Sequence, residues 1–248
     1  MIRPRIDAVA VVVPVRNEER LLARTLTALT AAVDVAEAAR LRCEVRIVLD
    51  ACTDASGEIA ARFAFPLVEC SAVRVGAARR RGVAAALDAL DDVDDARIWI
   101  ANTDADSRVP SRWLTRQRAV AEVADVYTGT VRPDFDELPA LQQRHWLSTH
   151  APGRKNANVH GANLGLRAQT YLDAGGFAEL GEHEDVDLVA RCRARGAVIL
   201  GDDSAEVITS GRYVGRTPGG YADFLRRQAS QLSDGAPGEA VRSVGSSG

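Results

Sequence analysis

The first hundred residues alternate between short apolar runs and longer amphipathic segments. Residues 9–15 are continuously apolar and mostly β-branched, which is typical of a strand buried on both faces of a parallel sheet. Leucines recur at helical spacing over residues 21–29, which predicts an amphipathic helix. The pattern predicts further strands at 44–50, 66–69 and 97–101 and helices at 56–65 and 77–90, the first of them capped by Asp54. Such alternation predicts an open parallel sheet whose strand ends bind ligands.

The second half of the chain has a less regular pattern. It predicts a strand at 125–131 and helices at 111–124, 138–150 and 182–195, with another helix beginning near Arg167. Residues 151–158 are rich in glycine and asparagine and indicate a loop. The segment from Ser233 onward lacks apolar residues to bury. We therefore predict one α/β domain over residues 1–232, followed by a disordered tail at 233–248.

Composition and charge exclude several classes of protein. The chain is 46% hydrophobic and 26% charged, and its net charge of -3 provides no basic field for nucleic acid. No stretch approaches the roughly 20 apolar residues that a membrane-spanning helix needs. The four cysteines include no CxxC pair, which argues against a zinc site and a disulfide scaffold. We expect a cytoplasmic protein with no nucleic-acid partner and no membrane span.

The strongest chemical signal is the segment Asn-Thr-Asp-Ala-Asp-Ser at residues 102–107, directly after a predicted buried strand. The carboxylates of Asp104 and Asp106 can converge on one hard cation such as Mg²⁺ or Mn²⁺, directly or through water. An isolated pair with this spacing is more often the start of a solvated loop. Its position at the end of a buried strand favours a metal site.

A second group of polar residues follows the first two predicted strands. Pro14, Arg16 and Glu18 belong to the segment Pro-Val-Arg-Asn-Glu-Glu at 14–19, and Asp50 ends the second strand. Because the carboxyl ends of parallel strands share one edge of the sheet, these residues should lie together. They could hydrogen-bond a nucleobase edge and ribose hydroxyls. Helix capping is the alternative for the first loop, and it is compatible with binding.

Two charged clusters lie at the starts of predicted helices. Arg79 belongs to Gly-Ala-Ala-Arg-Arg-Arg-Gly at 76–82, where free helix amides favour anions and the guanidinium could reach a diphosphate. Glu184 and Asp185 belong to Gly-Glu-His-Glu-Asp-Val-Asp-Leu at 181–188. Helix capping and the helix dipole are sufficient to explain the first and the last acidic residue of that cluster. The preceding Gly-Gly-Phe turn and the following helix would hold one carboxylate rigidly in a cleft.

Together these four segments, in this order, resemble the family 2 glycosyltransferases of the GT-A fold over residues 8–211. The resemblance implies a single GT-A domain, with a Rossmann-like, mostly parallel sheet flanked by helices. Its nucleotide-sugar-binding half would be residues 8–110, and its mixed acceptor-binding half residues 111–232. It implies a nucleotide diphosphate sugar donor (a UDP- or GDP-sugar), Mg²⁺ or Mn²⁺ as cofactor, and inverting transfer to an unidentified acceptor hydroxyl by single displacement.

The resemblance also implies a role for each segment. The first loop and Asp50 would bind the nucleoside, Asp104 the ribose and diphosphate, and Asp106 the metal. Asp185 would be the base, with Glu184 as its competitor. Arg79 and Arg212 would lie near the diphosphate, the latter in a basic loop with Arg216. The expected acceptor contacts are His160, Gly161, Asn163 and His183, and the nearby Arg154 and Lys155 hint at an anionic or polyhydroxylated acceptor.

Several features distinguish the chain from related classes of protein. No histidine follows His183, so a further metal ligand is absent or is replaced by water. The lack of a Q-x-x-R-W motif argues against a processive polysaccharide synthase. A sugar nucleotidyltransferase would need a glycine-rich loop where residues 13–20 have no glycine, and a dinucleotide oxidoreductase would need G-x-G-x-x-G. A domain that binds nucleotide sugar without turnover is the non-enzymatic alternative.

Overall fold

The computed structural model describes residues 3–150, 158–180, 182–215 and 219–234 of the 248-residue chain. Within these residues, one seven-stranded sheet has the order β3-β2-β1-β4-β6-β5-β7. Strand β6 is antiparallel to both of its neighbours, and the remaining pairs are parallel. The strands are β1 (Ala8–Val15), β2 (Arg42–Asp50), β3 (Leu67–Cys70), β4 (Ile98–Asn102), β5 (Val126–Pro133), β6 (Leu164–Arg167) and β7 (Ile199–Thr209). The predicted α/β domain with a mostly parallel sheet is confirmed.

Helices pack on both faces of this sheet. Because successive residues of a strand point to opposite faces, Val11 and Val13 belong to one core cluster with α1 and α4, while Ala10 and Val12 belong to the other with α3, α6 and α7. This explains why β1 is continuously apolar. The helices are α1 (Leu22–Ala38), α2 (Ser56–Ala60), α3 (Val75–Asp88), α4 (Trp113–Val120), α5 (Ala140–Thr149), α6 (Ala168–Asp173), α7 (Glu184–Ala194) and α8 (Tyr221–Asp234). No described helix is long and apolar enough to cross a membrane.

Four elements differ from the sequence prediction. Helix α2 ends at Ala60, five residues early, because Phe63 and Phe65 turn back to pack against the core. The carboxylate of Asp54 accepts the Ser56 amide hydrogen bond at 3.0 Å, as predicted for a cap. Strands β6 and β7 were not predicted, nor was α8, which continues through the first two residues of the predicted tail. The rest of that tail, residues 235–248, lies outside the described residues.

The sheet topology brings the carboxyl ends of three neighbouring strands to one edge. Strand β1 lies between the other two, with Val15 opposite Leu49 of β2 and Val12 opposite Asn102 of β4. The loops that follow these strands therefore begin side by side. They carry the segments 14–19, 50–54 and 102–107 that the sequence singles out.

Candidate active site

A cleft of about 770 Å³ opens at this edge of the sheet. Segments from both halves of the chain line it, including the loops after β1, β2 and β4 and the starts of α3 and α7. Every predicted site residue except Asn163 lines the cleft: Pro14, Arg16, Glu18, Asp50, Arg79, Asp104, Asp106, His160, Gly161, His183, Glu184, Asp185 and Arg212.

The end of the cleft beside β1 and β2 is shaped by Asp50. This residue is 3% exposed, and its Oδ1 accepts a hydrogen bond from the Val73 amide at 2.9 Å. Val73 has a φ of 58°, a left-handed conformation that disfavours a β-branched residue unless its surroundings fix it. The exposed Arg16 also contacts Val73, donating to its carbonyl at 3.4 Å. Asp50 therefore holds one wall of the cleft while its carboxylate borders the cavity.

Arg79 is a buried cation at the centre of the cleft. Its side chain is 3% exposed, donates to Oδ1 of Asp104 at 2.5 Å and forms an ion pair with Glu184. Burial opposes its charge, but the carboxylates of Asp104, Glu184 and Asp185 raise the pKa of Arg79 above its usual value. A Cβ at Gly161 would lie 2.3 Å from this guanidinium, so a larger residue there would force the arginine to shift. These pairings hold the guanidinium between the carboxylates of Asp104 and Glu184 at the wall of the cleft, and its contact with a diphosphate stays a prediction.

The adjacent acids Glu184 and Asp185 occupy different environments. Glu184 is 4% exposed and faces Arg79; burial raises its pKa, and the arginine opposes that shift. Asp185 is half-buried, with Oδ2 accepting the Gly161 amide at 2.6 Å and Oδ1 accepting the Val186 amide at 2.8 Å. Asp185 is thus the carboxylate that a ligand in the cleft can approach.

Asp104 and Asp106 provide the oxygen ligands that a hard divalent cation prefers. Oδ1 of Asp106 accepts the hydroxyls of Ser107 and Thr209, each at 3.2 Å, and Oδ2 lies 2.8 Å from the Arg212 guanidinium. Burial raises the pKa of Asp106; Arg212 lowers it and the nearby Asp104 raises it. The two negative carboxylates repel each other, and a bound cation would relieve that repulsion. Among the described residues no three acidic, histidine or cysteine side chains form a metal-binding group. An ion held by these two acids would need phosphate and water oxygens to complete its coordination.

Arg212 links three parts of the site. Its guanidinium donates to both carboxylate oxygens of Glu18, at 3.0 and 2.8 Å, and the same side chain contacts Asp106. Glu18 is buried, and its backbone amide donates to the Ser56 hydroxyl at 2.7 Å. The segment after β7 is therefore tied to the loops after β1 and β4. Arg216, predicted to share this role, lies outside the described residues.

The residues predicted to contact the acceptor lie in different places in the structure. His160 and Gly161 line the cleft, and His183, which precedes α7 with a φ of 58°, is exposed at its rim. Burial lowers the pKa of His160, and Asp185 opposes that shift. Arg154 and Lys155, on which the prediction of an anionic or polyhydroxylated acceptor rests, lie outside the described residues.

Asn163 has a structural role, which corrects its predicted contact with the acceptor. The residue is 0% exposed and does not line the cleft. Its Oδ1 accepts the Trp113 indole at 2.8 Å, and its Nδ2 donates to the carbonyls of Thr130 and Ala205 at 2.8 and 3.0 Å. The side chain thus ties α4, β5 and β7 together. The amide makes these three hydrogen bonds within the fold, and its burial keeps it out of reach of a ligand in the cleft.

The sequence prediction missed all but one member of an aromatic wall that lines the cleft. Trp146 and His150 stack with ring centroids 3.6 Å apart and planes 7° apart. Their spacing of four residues within a predicted helix was the available signal. The other members lie on α8, which was not predicted, and beside Gly161. We define the aromatic wall as Trp146, His150, His160, Tyr221 and Phe224, all of which line the cleft.

Comparison with known proteins gives a family match and several similar structures. Residues 10–171 match the sequence profile described as Glycosyl transferase family 2. A mannosyltransferase from Pyrobaculum calidifontis, solved with GDP-Man and Mn²⁺, is 21% identical with a TM-score of 0.59, over 94% of this chain and 66% of that one. Glucosyl-3-phosphoglycerate synthase from Mycobacterium tuberculosis, solved with Mn²⁺, UDP and phosphoglyceric acid, is 15% identical with a TM-score of 0.59, over 94% and 80%.

A third similar structure is S. aureus TarS 1-349 with UDP, which is 16% identical with a TM-score of 0.54, over 83% of this chain and 60% of that one. The chain therefore spans slightly less than two thirds of the mannosyltransferase and of this TarS fragment. At these identities the likeness establishes the fold. The comparison with curated protein sequences finds no match.

Proposed function

The chain belongs to glycosyl transferase family 2, and on that premise we propose that it transfers a sugar from a nucleotide diphosphate sugar to an acceptor hydroxyl with inversion at the sugar carbon. One observation carries the proposal. The same cleft holds the acidic pair Asp104 and Asp106 and the accessible Asp185, and the buried Arg79 is paired with Asp104. The GDP-Man, UDP and Mn²⁺ in the similar structures support a nucleotide donor and a divalent ion for this chain as well.

We assign donor binding to the β1 and β2 side of the cleft. Pro14, Arg16 and Asp50 would contact the nucleoside, because they border the cavity at the first two strand ends. Asp104 and Asp106 would hold Mg²⁺ or Mn²⁺, which when bound neutralises charge on the diphosphate. Arg212, beside Asp106, would contribute further positive charge there.

We assign proton transfer to Asp185. Its carboxylate is oriented by two backbone amides and would accept the acceptor hydroxyl proton as that oxygen attacks the sugar carbon. The bond from the sugar carbon to the diphosphate breaks at the same time, and its electron pair leaves with the diphosphate. A single attack from the opposite side inverts the carbon. Arg79 would hold Asp104 and Glu184 in place.

A binding screen followed by a turnover assay tests the proposal. Thermal unfolding would be measured with UDP- and GDP-sugars, with and without Mn²⁺. A ligand at 100 times its dissociation constant stabilises a fold by about 2.7 kcal/mol, so a metal-dependent rise in melting temperature is expected. Donor hydrolysis or transfer then separates an enzyme from a domain that only binds nucleotide sugar. If no nucleotide sugar raises the melting temperature, the proposal is wrong.

Asp50→Ala should weaken nucleotide binding equally with and without metal. Asp50 lies at the end of β2 and holds the wall at Val73, whereas the acidic pair follows β4. Losing a hydrogen bond from a charged group costs about 1.5–3 kcal/mol, or tenfold or more in affinity. Calorimetric titration with the nucleotide diphosphate measures this loss. Asp92→Ala, on the exposed loop that pairs with Arg42, is the control, and equal affinities in the two variants would contradict the assignment.

Arg212→Ala should lower turnover more than donor affinity. Positive charge beside a departing diphosphate matters most as negative charge grows on it, so its loss should slow transfer about tenfold to a hundredfold. Steady-state kinetics and donor binding would be measured separately. Arg227→Ala serves as the control, because Arg227 is exposed on α8 and pairs with Asp223. Unchanged turnover in Arg212→Ala would contradict this role and leave Arg212 only its ion pair with Glu18.

A further inference from the structure

The aromatic wall leaves one apolar ring open to the cleft. Trp146 is 5% exposed, because His150 stacks on it and the edge of Tyr221 packs at 6.3 Å. Phe224 lies 5.9 Å from Tyr221, with the two rings 30° apart, and keeps 40% of its surface exposed. A phenyl ring exposed to water is unfavourable, and a flat ligand that covers it recovers that free energy. The wall therefore has the form of a stacking platform.

The platform carries no formal charge near neutral pH. Burial lowers the pKa of His150 and of His160, although Asp185 opposes the shift at His160. Burial also raises the pKa of Tyr221, so its hydroxyl stays protonated. Phosphate and carboxylate groups are bound by arginine, lysine or clustered amides, which the five rings do not supply. An uncharged ring matches this surface.

The wall adjoins the proposed base. His160 packs edge-on against Tyr221, with ring centroids 6.1 Å apart and planes at 87°. The next residue, Gly161, donates its amide hydrogen to Oδ2 of Asp185. A ring seated on the wall therefore lies on the side of the cleft that faces Asp185. The acidic pair that is proposed to bind the donor follows the carboxyl end of β4.

We propose that the aromatic wall is the acceptor subsite and that it binds the flat face of an uncharged sugar ring against Phe224 and Tyr221. This inference rests on the glycosyl transfer proposed above and narrows its acceptor to a neutral glycoside. The C–H groups on one face of a pyranose pack on aromatic rings, while the hydroxyls at its rim stay free. One of those hydroxyls would then meet Asp185.

Trp146 provides a direct binding signal. The other two tryptophans, Trp99 and Trp113, are 0% exposed in the core, so a ligand on the wall should change the fluorescence of Trp146 alone. The protein would be titrated, in the presence of Mn²⁺ and UDP or GDP, with methyl pyranosides, neutral disaccharides and 3-phosphoglycerate. We expect saturable fluorescence changes with neutral glycosides and none with the phosphorylated acid.

Variants then locate the contact. Phe224→Ala should raise the dissociation constant of the best neutral glycoside about tenfold, and Phe224→Tyr, which keeps the ring, should restore binding. Leu147→Ala is the matched control, because Leu147 is a 62% exposed apolar residue on α5 that does not line the cleft. Phe224 is exposed enough that its truncation should leave the melting temperature nearly unchanged.

The outcomes separate this inference from the function on which it rests. Nucleotide binding is scored in the same samples by thermal shift, and its absence would refute the glycosyltransferase proposal itself. If the nucleotide binds but no neutral glycoside changes the Trp146 signal, the acceptor assignment is overturned. It is equally overturned if Phe224→Ala binds the glycoside as tightly as the unaltered protein, or if only 3-phosphoglycerate binds.

Discussion

Asp185→Asn should slow sugar transfer by about 10²–10⁴ while leaving donor binding unchanged. The carboxylate lies in the cleft, oriented by the amides of Gly161 and Val186. Asparagine keeps the size of the side chain and one acceptor oxygen, but its amide cannot take a proton from the acceptor hydroxyl. At the start of α7 the lost negative charge costs about 0.3–1 kcal/mol of interaction with the helix dipole, and the loss of one of the two amide contacts costs about 0.5–1.5 kcal/mol more. The fold should therefore persist.

Glu184→Gln tests whether Glu184, the neighbouring carboxylate, could be the base instead of Asp185. Successive residues on a helix point about 100° apart, and Glu184 points to the buried Arg79. Removing its charge leaves the arginine with less compensation, and breaking a buried ion pair typically costs about 3–5 kcal/mol. Glu184→Gln should thus lower the free energy of unfolding, whereas Asp185→Asn should lower turnover in a stable protein.

Three measurements on each variant decide between the two acids: turnover at saturating donor, donor affinity by calorimetry, and unfolding by denaturant. Asp187→Asn is the control, because Asp187 pairs with Arg191 on the same helix and does not line the cleft. Normal turnover in Asp185→Asn would remove Asp185 from the mechanism. Slow transfer by a well-folded Glu184→Gln, with normal transfer by Asp185→Asn, would assign the base to Glu184 instead.

The first half of the fold was predictable because its strands β1 and β4 are buried on both faces. A continuous apolar run such as 9–15 has few alternatives, and the helices between such runs carry their own periodicity. Strand β7 escaped prediction because Gly-Asp-Asp-Ser interrupts its apolar pattern. Asp202 is held there by an ion pair with Arg116, and β7 shifts register against β5 between Gly129 and Val131. Those tertiary interactions have no signature within the strand itself.

The candidate site also contains residues that could be grouped from the sequence and residues that could not. Residues at the ends of parallel strands, such as Asp50 and Asp104, could be grouped from sequence because the sheet brings those ends together. The partners of Arg79 could not, since Glu184 lies 105 residues further along the chain. The aromatic wall depends on the packing of α5 against α8, where Gln142 donates to the carbonyl of Leu225 and to Gln228. No local pattern predicts such a contact.

Asp106→Asn should abolish the part of donor binding that depends on metal. The diphosphate and the acidic pair are both negative, so they approach each other only with a cation between them. Asparagine preserves the shape of Asp106 and can still accept the hydroxyls of Ser107 and Thr209 at its oxygen. It removes the charge that would hold the ion. The contact between Oδ2 of Asp106 and Arg212 is lost, but that guanidinium keeps both of its hydrogen bonds to Glu18, so the fold should tolerate the change.

The prediction is tested by thermal unfolding with a UDP- or GDP-sugar, in Mn²⁺ and in a chelator. In Mn²⁺, donor at 100 times its dissociation constant should stabilise the unaltered protein by about 2.7 kcal/mol, and in chelator by less. Asp106→Asn should show the smaller stabilisation under both conditions. Asp92→Asn is the matched control, because Asp92 is an exposed acid paired with Arg42 at the start of β2, the opposite edge of the sheet. If Asp106→Asn keeps the full metal-dependent stabilisation, the ion does not bind at this acidic pair, and donor binding must be explained by the arginines alone.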